Sequence, residues 1–115
     1  MELKFSNCRI TTVAPSIGTL QHLQELKLDR NQLKELPHSI CQLQELTVLN
    51  LSRNYFEKLP SDIGKLANLE NLNAGYNKID SLPASLPQLG NLTLLSLTSN
   101  KLKFIPKNFN HLKCL

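Results

Sequence analysis

Tryptophan is absent from the 115 residues, and aromatic side chains make up only 5% of them. A compact globular core leans on large rings, so the 41% of residues that are hydrophobic must be organised in another way. No apolar run reaches the roughly 18 residues a membrane-spanning helix needs. No basic segment leading into an apolar stretch opens the chain, so no signal peptide is read there. The 4 glycines form no phosphate-cradling loop. The 3 cysteines, Cys8, Cys41 and Cys114, are odd in number and make no C-x-x-C pair, which suits reduced structural thiols in a cytoplasmic protein. The net charge of +4 is too small by itself to argue for nucleic acid.

What is present is a repeat. LTVLNLSRNYFEKLPSDIGKLAN, from Leu46 to Asn68, matches itself when moved by 23 residues in either direction. The same frame starts at Leu23, Leu69 and Leu92, and the N-terminal residues fit as a copy lacking its first position. The chain therefore divides into repeats 1–22, 23–45, 46–68, 69–91 and 92–114 of one domain spanning 1–115. Counting Leu23 as position 1, positions 1, 4, 6, 11, 14, 18 and 21 are apolar almost throughout: Leu23, Leu26, Leu28, Leu33, Leu36, Ile40 and Leu43 in the second repeat. In the first repeat these slots hold Leu3, Phe5, Ile10, Val13, Ile17 and Leu20. The alternation Leu26-Lys27-Leu28 has the period of a strand, so five such strands should run parallel about 4.8 Å apart.

Position 9 is Asn31, Asn54, Asn77 and Asn100, with Cys8 in the first repeat. An Asn just past a strand can turn inward and bond backbone freed by the bend, and stacked copies would form a ladder. Cys8 in that slot should be buried, and the turn around it should be the loosest. Leu36-Pro37, Leu59-Pro60, Leu82-Pro83 and Ile105-Pro106 then stop the extended segment. Ser16, Ser39, Asp62, Ser85 and Asn108 follow as expected helix N-caps, with Gln42 and Gln88 completing capping boxes. Each repeat should thus make one short helical turn on the outer side. Pro15 comes one position late, and Pro87 is tolerable only at the start of its turn.

These residues resemble the leucine-rich repeat family, whose signature is L-x-x-L-x-L-x-x-N-x-L. Leu23 to Leu33 meets it in full; Leu46 to Phe56 meets it with Phe56 last; Leu69 to Ile79 carries Ala74 in a core slot. The 23-residue length with L-P-x-x-I-x-x-L looks like the intracellular type found in Ras-binding and cell-polarity scaffold proteins. The resemblance implies an α/β solenoid of five repeats, with a parallel β-sheet on the concave face and short helical or 3-10 turns on the convex face. It also implies a protein-binding module with no chemistry and no cofactor of its own.

Positions 3, 5, 7, 8 and 10 are expected on the inner face and its edge. Seven bases fall there (Lys4, Arg9, Lys27, Arg30, Arg53, Lys78, Lys101) against three acids (Glu2, Glu25, Asp29), so the whole net charge lies on that face. Such a face should attract an acidic protein surface, unless the placement of solvated Lys and Arg is accidental. Arg30, Arg53, Tyr55 and Tyr76 lie on three adjacent repeats and have the chemistry of interface anchors, although the tyrosines could equally pack along the turns. The candidate partner-binding set is Lys27, Arg30, Val48, Asn50, Arg53, Tyr55, Asn73, Tyr76, Lys78 and Leu94.

Other signals are weaker. His38/Cys41 and His111/Cys114 are each half of a zinc pattern, but three repeats separate them by on the order of 14 Å. No third group is expected to orient either pair, and no Ser/His/Asp set assembles, so no catalytic residue is assigned. Asn91-Leu92-Thr93 is a glycosylation sequon that matters only in a secreted chain. Glu2, Glu25 and Asp29 interrupt any basic row that would track phosphates, which argues against nucleic acid. Neither end shows a polar capping repeat, and Leu115 would open a further strand. The chain is therefore expected to self-associate through its ends or to be part of a longer array. The reading is a cytoplasmic protein-interaction module, or else a regulatory or structural segment of a larger signalling enzyme or receptor.

Overall fold

The structure, a computed structural model, describes residues 1–103. Ile105-Pro106, Asn108, His111, Leu112, Cys114 and Leu115 lie outside the described residues. Five strands form one sheet: β1 Glu2–Lys4, β2 Glu25–Lys27, β3 Val48–Asn50, β4 Asn71–Asn73 and β5 Leu94–Ser96. They run parallel in sequence order. Leu3 is registered with Leu26, Leu26 with Leu49, Leu49 with Leu72 and Leu72 with Leu95. The 23-residue period of the sequence is therefore the register of the sheet. Among the described residues four 3-10 turns return the chain on the opposite side, at Pro15–Thr19, His38–Gln42, Ile63–Lys65 and Leu86–Gln88. The arrangement is the expected solenoid.

Between strands and turns lies one core of stacked Leu and Ile, including Leu26, Leu49, Leu72 and Leu95, none of them exposed. Phe56 is fully buried at a position filled by Leu33 and Ile79 in the adjoining repeats, and Ala74 is fully buried where its neighbours carry Leu51 and Leu97. The first repeat differs. Its apolar residues Leu3, Ile10, Val13, Ile17 and Leu20 are only partly buried, and Phe5, in a core slot, is 42% exposed. Nothing in the described chain stacks on the outer side of that repeat, so its inward side chains meet a neighbour on one side only.

The asparagine ladder forms as the spacing predicts. Asn54 Nδ2 donates to Leu28 O and Leu51 O, each at 3.0 Å, while its Oδ1 accepts from the Leu33 N–H at 3.0 Å. Asn31, Asn77 and Asn100 repeat the pattern, so each amide ties two consecutive repeats together. Cys8 departs from the expectation: it is exposed, not buried. Its thiol reaches only Ser6 O, and its own N–H donates to Asn31 Oδ1 at 2.9 Å. The first turn is held from the second repeat instead.

The expected helix caps do not form. None of the four turns has a side-chain cap hydrogen bond. A 3-10 turn of three to five residues offers few free amides, and the next repeat brings backbone within closer reach. Ser39 Oγ donates to Pro15 O at 2.6 Å, and Ser85 Oγ donates to Ser61 O at 2.7 Å while accepting from the Gly64 N–H. These residues stitch one repeat to another. The turns approach so closely that a Cβ on Gly64 would overlap the Ser85 carbonyl, whereas one on Gly90 would meet open space.

Two stability outcomes follow. Asn54→Ala should cost about 2–4 kcal/mol, because it strands one buried N–H and two carbonyls. Gly64→Ala should cost about 1–3 kcal/mol, with Gly90→Ala much milder, as read by denaturant midpoints.

Candidate functional site

Just past each strand the chain turns through a left-handed residue: Asn7, Arg30, Arg53, Tyr76 and Ser99 all have φ between 56° and 58°. Each lies at position 8. The conformation suits Gly or Asn and costs other L residues about 1–2 kcal/mol. It persists because the amide continues the ladder: Arg30 N–H donates to Ser52 O at 2.9 Å, Arg53 N–H to Gly75 O at 2.9 Å and Tyr76 N–H to Thr98 O at 2.7 Å. Arg30, Arg53 and Tyr76 consequently form an exposed row on consecutive repeats. The large side chains at these positions gave no hint of a positive φ; only Asn7 and the Asn that follows carried that signal.

After the inward Asn a second ladder begins. Tyr55 N–H donates to Leu33 O, Lys78 N–H to Phe56 O and Lys101 N–H to Ile79 O, each at 2.8 Å. Position 10 therefore forms its own column, beyond the left-handed turn. The two columns meet in a four-residue patch. The Arg53 guanidinium lies 4.1 Å over the Tyr76 ring, and the Lys78 ammonium lies 5.2 Å from the centre of the Tyr55 ring. Tyr55 and Tyr76 remain 45% and 46% exposed, so the cations order the rings without covering them.

The rest of the candidate set sits differently. Lys27 Nζ is 3.8 Å from Glu25, and Lys4 Nζ is 3.1 Å from Glu2, whose carboxyl it holds below the usual range. Asp29 accepts the Ser6 hydroxyl at 2.6 Å. The sheet surface of the first two repeats is thus locally neutral, and the positive excess falls on the turn columns. The Oδ1 atoms of Asn50 and Asn73 are turned back to the N–H groups of Ser52 and Gly75, shaping the bend. Val48 and Leu94 are half-buried at the sheet surface.

On the outer side, two histidines pair across repeats: His22 Nδ1 with Glu45 and His38 Nε2 with Asp62, both at 2.7 Å. Asp62 is therefore the third group beside His38 and Cys41 that was not expected. His38 and the nearby Lys65 hold the Asp62 carboxyl below its ordinary value. No activated nucleophile results, because burial pushes the Cys41 thiol up to about 11. Among the described residues no cluster of three or more His, Cys, Asp or Glu could hold a metal, and no helix is long and apolar enough to cross a membrane.

The family model for the leucine-rich repeat matches residues 1–56 and 44–102. The chain belongs to the leucine-rich repeat family. Its fold is similar to a leucine-rich repeat protein of Leptospira interrogans at 35% identity and a TM-score of 0.83, over 98% of this chain and 36% of that one. It is similar to the leucine-rich repeat ectodomain of the receptor kinase SOBIR1 from Arabidopsis thaliana at 33% identity and 0.82, over 97% and 66%. It is also similar to a chain of the Arabidopsis thaliana BIR3–SERK2 complex at 31% identity and 0.82, over 92% and 60%. The chain thus spans between 36% and 66% of these three proteins' lengths. No curated protein sequence gives a significant match. Leucine-rich repeat domains generally mediate protein–protein interaction.

Two outcomes test this geometry. Arg30→Asn should stabilise the repeat by about 0.5–1 kcal/mol by relieving the left-handed strain, measured by denaturant unfolding. Cys41 should resist iodoacetamide in the folded protein and react on unfolding, mapped by peptide mass spectrometry. With its folded pKa raised from 9.0 to about 11, the thiol contributes stability that is present below pH 9 and declines as pH rises towards 11.

Proposed function

We propose that the chain is a protein-binding module that holds the acidic surface of a partner on its concave side, centred on Arg30, Arg53, Tyr55 and Tyr76. One observation carries the reading. Arg30, Arg53 and Tyr76 occupy three successive left-handed positions where Asn or Gly would be less strained. Strain kept under large exposed side chains points to a use for those side chains. Arg and Tyr are the residues that anchor interfaces, and here two tyrosines are already ordered by cations, which lowers the entropy lost on binding. Val48 and Leu94 add apolar contact, Asn50 and Asn73 add amide donors, and Lys78 adds charge. Lys27, paired with Glu25, contributes least.

In this reading the module performs no catalysis and needs no cofactor or metal. Nucleic acid is disfavoured because Glu2 and Glu25 neutralise Lys4 and Lys27 within the row that would track phosphates. The free thiols Cys8 and Cys41 support a cytoplasmic location. The half-buried apolar first repeat, with Phe5 exposed and a cleft of about 170 Å³ beside it, supports self-association through that end. A second reading is favoured by the receptor-type neighbours, which are longer than this chain: a regulatory or structural segment of a larger signalling enzyme or receptor.

The test is an affinity pull-down from cell lysate with the wild type beside Arg30→Glu/Arg53→Glu, the two matched by circular dichroism. Proteins with acidic surfaces should be retained by the wild type and lost by the variant. Identical protein sets would overturn the reading and move the search to the outer side or the first repeat.

A further inference from the structure

Beside the four-residue patch, the position-10 column and its outer neighbours enclose a cleft of about 450 Å³ lined by Lys34, Tyr55, Glu57, Lys78 and Lys101. It is assembled from four consecutive repeats, so no single repeat contains it. Position 11 points into the core, as Leu33, Phe56 and Ile79 show, so positions 10 and 12 stand outward together. Neighbouring repeats lie about 5 Å apart along the stack, so Lys78 and Lys101 are adjacent, while Lys34 stands two repeats from Lys78 and three from Lys101. Three lysines on long, flexible stems therefore line one opening. Among the described residues none of the three lies within 4.0 Å of a carboxylate, unlike Lys4, Lys27 and Lys65. Like charges lining one cleft repel, and nothing in the fold requires Lys at any of the three positions: Gln32 stands at position 10 and Asp80 at position 12 elsewhere.

We propose that this cleft seats a phosphorylated side chain of a bound protein; the proposal rests on the protein-binding reading and extends it to a second, chemically distinct contact. Charge decides the class. Three lysines against Glu57 leave an excess of two positive charges, which matches a phosphomonoester, carrying about −1.5 to −2 at pH 7. A single carboxylate would leave one ammonium uncompensated. Lys meets phosphate as a movable point charge, so three of them can close on a tetrahedral group without a fixed fork. Tyr55 supplies the rest of the site: a wall for the carbon stem of the ligand, and a hydroxyl able to donate. Lys78 is already placed over that ring at 5.2 Å. Continuity decides the carrier. Tyr55 and Lys78 belong to both the cleft and the patch with Arg53 and Tyr76, so a polypeptide crossing the concave side at Arg53 passes directly into the cleft.

The experiment is a titration of the intact ¹⁵N-labelled chain at fixed ionic strength, followed by amide shifts. The probes are a short phosphoserine peptide, its Ser and Glu counterparts, and inorganic phosphate. The phosphopeptide should shift the amides of Tyr55, Glu57, Lys78 and Lys101, and Lys78→Gln/Lys101→Gln should weaken it about tenfold. Lys65→Gln, on an outer turn, should leave it unchanged. Equal binding of the Glu peptide, equal weakening by Lys65→Gln, or inorganic phosphate binding as tightly as the peptide would each overturn the proposal. So would co-sedimentation with vesicles of anionic phosphoinositide lipid without phosphopeptide binding, which would make the cleft a headgroup site. The titration needs no concave-side partner, so its failure and that of the pull-down are read separately.

Discussion

Each inward asparagine is a joint between two repeats, and the rest of the architecture depends on that joint. A parallel strand three residues long makes too few bonds to hold a sheet by itself. The bend after it frees carbonyls and amides that water cannot reach. Asn31, Asn54, Asn77 and Asn100 satisfy those groups with one side chain, spending Nδ2 on carbonyls of two repeats and Oδ1 on an amide of the preceding one. A carboxamide carries two donors and an acceptor in one rigid plane, which is what the bend requires. Cys8 lacks them, and the bend of the first repeat takes its side-chain amide bonds from Asn31 instead.

That joint also sets the candidate surface. To aim the Asn inward, the residue before it must adopt a left-handed conformation, and its side chain is thrown outward at the sheet margin. The conformation is thus a structural necessity, while the choice of Arg30, Arg53 and Tyr76 to occupy it is not. The same turn separates the sheet surface from the position-10 column. Opposite charges then close on one another along β1 and β2, and the positive excess is left to the turn columns.

The outer side obeys a different economy. Its 3-10 turns are too short for self-contained caps, so Ser39, Ser85 and Asp62 turn to the adjoining repeat. Close approach there requires Gly64, and it carries His38 to Asp62 beside a buried Cys41. A Cys, a His and an Asp close together do not make a nucleophile when burial holds the thiol protonated.

The 23-residue spacing is enough to set the strand register, the core columns at Leu26, Leu49, Leu72 and Leu95, and the asparagine ladder. Each follows from a period that any stack of equal units must respect, so it is legible in one dimension. Candidate anchors such as Arg53 and Tyr55 were legible for the same reason, through their place in the frame. Contacts between repeats, and their directions, are settled only in the assembled stack. The exposure of Cys8 and Phe5 depends on what covers the first repeat. The use of Ser39 and Ser85 as stitches depends on which backbone comes nearer. The pairing of Arg53 with Tyr76 and of Lys78 with Tyr55, and the shared cleft that Lys34 and Lys101 line, depend on side-chain direction beyond the left-handed turn. A sequence period records which residues share a column; the distances between columns are set by the curvature and packing of the assembled stack.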